Sequence, residues 1–177
     1  MGQLDGAGPG AVDRAYKIAA DWAAEQELDC EPSGQHSLVV TLPGERRLRT
    51  AVSLRFTRNG MSAQAFVLRA PDENEAQVHA WLLRRNGRLG TPAFMIDAHG
   101  DVFLTADLPL EAVTLETVDA LMTRFALAAD ESFNELLALG FRTSILREWD
   151  WRRARGESTA NLAAFEPLIR REREDEA

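Results

Sequence analysis

The chain has 177 residues, 45% of them apolar, 27% charged and 7% aromatic, the balance of an ordinary soluble globular domain rather than of a disordered chain. Its 20 basic and 28 acidic residues, net -8, argue against a general nucleic-acid binder, which needs excess cation facing phosphate. The single cysteine, Cys30, excludes an intramolecular disulfide and a cysteine-based zinc site, and predicts a reduced, cytoplasmic protein held together by packing. Met1-Gly2-Gln3-Leu4-Asp5 has neither the basic start nor the apolar run of a signal peptide, and no apolar run is long enough for a membrane span, so no membrane association is expected.

Residues 1–11, rich in Gly and Ala, are expected to be a flexible tail. From Val12 to Leu28, apolar residues Val12, Ala15, Tyr16, Ala19, Trp22 and Ala23 recur at helical spacing and predict a first helix with one buried stripe. Pro32-Ser33-Gly34 breaks it, and Leu38, Val40 and Leu42 predict a strand ending at Pro43-Gly44. Leu48, Thr50, Val52, Leu54 and Phe56 then alternate with Arg49, Ala51, Ser53 and Arg55, a strand with one buried and one wet face. Asn59-Gly60 suits a type I′ hairpin, which returns Met61–Arg69 antiparallel to it.

Asp72 and Glu75 have the spacing of a capping box for a second helix starting near Glu73, with Gly87 and Gly90 as its stop. Residues 93–96 and 102–104 flank His99-Gly100 and read as a second hairpin. Thr114 caps a long helix that runs through Val118, Leu121, Met122, Phe125, Ala129, Phe133, Leu136 and Leu137 to Gly140 as its C′ residue. The order α-β-β-β-α-β-β-α predicts a two-layer α+β domain over residues 12–141, a five-stranded antiparallel sheet with helices on one face. A helical extension over 142–169 and a charged tail over 170–177 follow.

Chemistry-bearing patterns are sparse. The glycines at 6, 8 and 10 lack the preceding strand that a dinucleotide fingerprint requires. His36, His79 and His99 share no metal-ligand spacing. Asp97-x-His99-x-Asp101 alternates carboxylate and imidazole as a metal site would, and is equally what a polar hairpin tip needs. Asp130, Glu131 and Glu135 could form an acid/base cluster or simply a solvated helix face. Neither catalytic nor cofactor-binding residues are assigned, and no enzyme activity is expected.

The segment from Arg142 to Gly156 stands apart. Five arginines against two acids give it +3, leaving -11 for the rest of the chain. Trp149 and Trp151 lie two apart and cannot share one helix face; Ile145 and Trp149 are predicted to pack inward, leaving Trp151 at the edge among arginines. Tryptophan and arginine are enriched at binding hot spots, so Trp149, Trp151, Arg147, Arg152 and Arg153 are the candidate protein-interface residues. The segment either docks on its own domain or contacts a second chain.

Particular phrases complete the reading: Phe66-Val67-Leu68-Arg69, Ile96-Asp97 with Gly100-Asp101-Val102-Phe103-Leu104, Asp107-Leu108-Pro109-Leu110, Asp130-Glu131-Ser132-Phe133 and Leu136-Leu137-Ala138-Leu139-Gly140-Phe141. In these the chain resembles the YbjN family of bacterial proteins, described as sensory transduction regulators and similar in fold to type III secretion chaperones, and most of all its actinobacterial branch. The resemblance spans residues 12–141. It implies a non-enzymatic, chaperone-like or regulatory module that binds another protein as a homodimer, without a cofactor. The alternative is a small-molecule sensor or enzyme using a pocket between sheet and helices, with His79 or His99 at its mouth.

Overall fold

The computed structural model describes residues 9–175. Its elements are α1 (Pro9–Glu25), β1 (Asp29–Pro32), β2 (Ser37–Pro43), β3 (Arg49–Thr57), β4 (Gly60–Leu68), α2 (Glu75–Leu89), β5 (Ala93–Ile96), β6 (Val102–Leu108), α3 (Leu115–Gly140), α4 (Arg142–Arg155) and α5 (Glu166–Asp175), with 3-10 turns at Leu110–Ala112 and Ala160–Phe165. The strands form one antiparallel sheet in the order β1-β2-β3-β4-β6-β5. It has six strands rather than five. The additional strand, β1, is a four-residue edge that pairs Asp29–Pro32 with Leu38–Thr41, and its mostly exposed residues carry no alternation to betray it.

β3 reads exposed and buried in strict alternation, so Thr50, Val52, Leu54 and Phe56 face the helices while Arg49, Ala51, Ser53 and Arg55 face away. α1 lays Val12, Ala15, Ala19, Trp22 and Ala23 on this buried face, and α3 adds Val118, Leu121, Met122, Phe125 and Leu136. Each such large side chain removed from water contributes on the order of 1.5–3 kcal/mol. Trp22 also donates its indole N–H to Asp119 at 3.0 Å, tying α1 to α3. At the far edge of the sheet Asn86 pairs its side-chain amide with both backbone groups of Phe94, at 2.7 and 3.0 Å.

Local signals differ in detail from the sequence reading. α1 begins at Pro9, so residues 9–11 are its first turn, and the remainder of the expected tail lies outside the described residues. Leu48 precedes β3 and is 78% exposed. Thr57 pairs with Gly60, so the hairpin loop is Arg58–Asn59; only Gly60 takes positive φ, at 144°, and the turn is not type I′. A Cβ at Gly60 would meet the Leu108 carbonyl at 2.6 Å.

Asp72 and Glu75 form no capping box: Asn74 is the N-cap, in the left-handed region, without a side-chain cap bond. Asp72 instead binds Arg69 and Ser144, and Glu73 accepts from the backbone and hydroxyl of Thr143 at the start of α4. Gly87 lies inside α2, and Gly90 ends it. Thr114 does cap α3, reciprocally with Thr117. Gly140 is that helix's last residue rather than a C′ residue with positive φ. Its missing side chain matters for space, since a Cβ there would meet Pro71 at 2.8 Å.

The C-terminal elements build a second, smaller core from Ile145, Leu162, Phe165 and Ile169, and Leu137 of α3 packs against both cores. Pro167 sits in the first turn of α5, where a missing N–H costs nothing. Residues 170–175 continue that helix instead of trailing as a charged tail. Ion pairs Arg142–Glu172 and Arg173–Asp150 hold it to α4.

Candidate functional site

The β3–β4 ladder stops at Val52–Ala65. β3 continues to Arg49 paired only with β2, and β4 continues to Leu68 paired only with β6, its register slipping at Val67. A β-bulge of this kind bends the strand that carries it, and here the two strands part. Into the parting goes Arg47. Its Nε donates to the Arg49 carbonyl at 3.3 Å and its Nη1 to the Val67 carbonyl, so one side chain stands where a ladder rung would. The guanidinium lies 5.9 Å from the Phe66 ring centre, on the open face of the sheet, and 5.2 Å from that of Phe133 on α3.

Asp130 fixes the loop that delivers it. One carboxylate oxygen accepts from the backbone N–H of Arg46 at 2.7 Å and of Arg47 at 2.9 Å. Gly44 is required beneath, because a Cβ there would meet the Arg47 carbonyl at 2.4 Å and Asp130 at 2.7 Å.

The result is a groove of about 770 Å3 walled by Leu48, Phe66, Leu68, Phe133, Leu137 and Phe141. Four arginines edge it: Arg46, Arg47, Arg49 and Arg69. Arg69 is committed, with a two-point hydrogen bond to Asp72 at 2.6 Å and its guanidinium 4.5 Å over the Phe141 ring. Arg46, Arg47 and Arg49 have no carboxylate within ion-pair distance among the described residues. Burial lowers the pKa of Arg47 from its ordinary value, yet guanidinium remains the charged form at any ordinary pH.

The sequence candidates fall elsewhere. On α4, Ile145 is buried and Trp149 packs against the second core, while Trp151 is 42% exposed with the Arg155 guanidinium 4.4 Å from its ring centre. Arg147 and Arg153 are exposed. Arg152 is engaged internally, with Glu148 at 2.7 Å and the Ser158 carbonyl at 3.2 Å. Asp97 spends its carboxylate on the backbone of His99 and Asp101, and Asp101 on that of Ala70, as a hairpin tip does; no group able to hold a metal ion occurs among the described residues. Asp130, Glu131 and Glu135 serve the loop, Arg85 and Trp81 respectively rather than one another. His36 meets Asp13 at 2.7 Å and His79 lies 3.9 Å from Glu75 on α2; no histidine lines the groove. Cys30 lies half-buried on β1, its thiol pushed up by burial and by neighbouring Asp29. No helix is long and apolar enough to cross a membrane among the described residues.

Sequence reasoning missed the groove although it singled out its parts. Three of the phrases quoted for the family resemblance, at 66–69, 130–133 and 136–141, meet there.

A family described as "Putative bacterial sensory transduction regulator", YbjN, matches residues 18–138. Similar proteins include an uncharacterized protein of Mycobacterium leprae, 42% identical over 154 residues that make 87% of this chain and 84% of that one. An uncharacterized protein of Mycobacterium tuberculosis is 46% identical over 132 residues, 75% of this chain and 72% of that one. Among solved structures, a chain of the ExsC–ExsE complex superposes with a TM-score of 0.53 at 18% identity, covering 71% of this chain and 95% of that one. The Yersinia pestis type III secretion chaperone SycH, in complex with a fragment of YscM2, gives 0.47 at 14% identity, covering 65% and 96%. At such identity the first likeness is one of fold, and it agrees with the two-layer α+β architecture expected from the sequence. With the family matched across most of both layers of the sheet domain, the chain belongs to the YbjN family.

Proposed function

We propose that this chain is a non-enzymatic protein-binding module of the cytoplasm, chaperone-like or regulatory, that works as a homodimer. The observation that carries the reading is the lining of the groove: apolar walls and arginines, with no carboxylate, histidine, thiol or hydroxyl to serve as nucleophile or general base. Such a site holds a ligand rather than transforming one. The fold likeness to a chain of a two-protein complex supports the same reading. For the homodimer, the support is Trp151 with Arg147 and Arg155, four residues to either side of it, an exposed aromatic among cations on a helix already anchored from its other side.

Two measurements test it. Light scattering at micromolar concentration is expected to give twice the 19.6 kDa chain mass, and Trp151→Ala with Arg147→Ala to weaken that association while the melting temperature stays within a few degrees; a strictly monomeric protein removes the homodimer. Affinity capture from the native cytoplasm is expected to retain a partner that Leu48→Asp releases. Leu48 is 78% exposed, so the substitution spares the fold, and equal recovery by both forms overturns partner binding at the groove.

A further inference from the structure

Arg47 presents an electrostatic imbalance. A guanidinium has five N–H donors; two are given to carbonyls across the strand parting, so three remain. Its neighbours are neutral acceptors and aromatic faces, which stabilise a cation without neutralising it. Arg46 and Arg49 stand beside it, also without a carboxylate. Three cations at 46, 47 and 49 meet one carboxylate, that of Asp130, which is taken up by the Arg46 and Arg47 amides; this local excess of positive charge in a chain of net charge -8 marks a surface complementary to an anion, and the half-burial of Arg47 strengthens what an anion gains there.

Its geometry limits the occupant further. Cations at 46, 47 and 49 outnumber the single carboxylate of a small amphiphile. Two of the apolar walls are themselves exposed, Leu48 at 78% and Phe66 at 42%, so the lining opens along the surface instead of enclosing a compact ligand. An extended chain carrying both acidic and apolar side chains satisfies both, because the Arg47 guanidinium lies 5.9 and 5.2 Å from the Phe66 and Phe133 ring centres, so charge and apolar surface alternate along the groove.

Building on the protein-binding reading, we infer that the groove between β3, β4 and α3 takes an extended acidic segment of the partner, with glutamate or aspartate on Arg46, Arg47 and Arg49 and apolar side chains against Phe66 and Phe133. The full-length protein is titrated into a dye-labelled peptide alternating glutamate and leucine, read by fluorescence anisotropy. A glutamine–leucine peptide is the charge control and dodecanoate the competing amphiphile. Saturable binding of the acidic peptide is expected, weakened about tenfold or more in the glutamine peptide and in Arg49→Glu, the scale on which one charge-assisted hydrogen bond affects affinity.

Arg49 is exposed and its side chain makes no hydrogen bond among the described residues, so this variant keeps the fold; Arg47→Gln, checked by circular dichroism, is expected to lose at least as much. Absence of saturable binding, equal affinity for the glutamine peptide, indifference to Arg49→Glu, or displacement of the peptide by equimolar dodecanoate each overturns the assignment. Should a captured partner persist in Arg49→Glu while the peptide fails to bind, the protein-binding reading stands and this occupant falls.

Discussion

At the scale of single residues, the site depends on side chains that serve backbone groups. Asp130 is one: its carboxylate replaces the partners that the Arg46 and Arg47 amides lack in an irregular loop. Asp130→Ala is expected to cost about 1.5–3 kcal/mol in urea unfolding, the range for hydrogen bonds to a charged group, and Asp130→Asn to recover much of it by keeping an acceptor. A loss near zero would mean that water serves those amides equally well. Asp72 is another. The hydrogen bond from Arg69, with smaller help from Ser144, holds its carboxyl below the ordinary carboxylate range. A group depressed in the folded state stabilises above its unfolded pKa, and that contribution is lost as pH falls through the folded value. Arg69→Gln is therefore expected to raise the Asp72 titration toward an ordinary aspartate by NMR and to flatten the acid limb of the stability profile. An unmoved titration would remove the pair from that account.

At the scale of elements, what was legible had a period. The stripe of α1, the alternation of β3 and the N-cap and spacing of α3 are local patterns, and each element forms where its pattern lies. β1 had none: four residues, mostly exposed and ending in Pro32, become a strand only because β2 offers an edge. The expected cap at Asp72 failed for a related reason, since Arg69 and Ser144 at the start of α4 take the Asp72 carboxylate.

The groove was least legible of all. Phe133 and Leu137 fit the helical spacing of core residues, and nothing in that spacing says that the strands beneath them separate. The C-terminal elements offer a test of how far local cores act alone. Ile169→Ala, which empties the second core, is expected to abolish amide-exchange protection in α4 and α5 while leaving β2 to β6 protected. Loss of protection throughout would make the two cores one cooperative unit.

At the scale of the whole molecule, Leu137 is the shared side chain, touching the main core, the second core and the groove at once. Leu137→Ala is expected to uncouple them. Emission from Trp149 and Trp151, read with Trp22 and Trp81 replaced by phenylalanine, then melts earlier than far-ultraviolet circular dichroism of the sheet domain, where coincident transitions would signify two-state behaviour.

The parting of β3 and β4 has a mechanical meaning as well. β1-β2-β3 and β4-β6-β5 are the two tines of a fork, joined over Val52–Thr57 and Gly60–Ala65 and free beyond. A plate with rungs along its whole width bends evenly, whereas a fork is stiff at its root and compliant at its tips. The root here is the Arg58–Asn59 hairpin, and the tips are two walls of the groove. The separation of the two tines and the width of the groove are thus one coordinate, bridged by the guanidinium of Arg47.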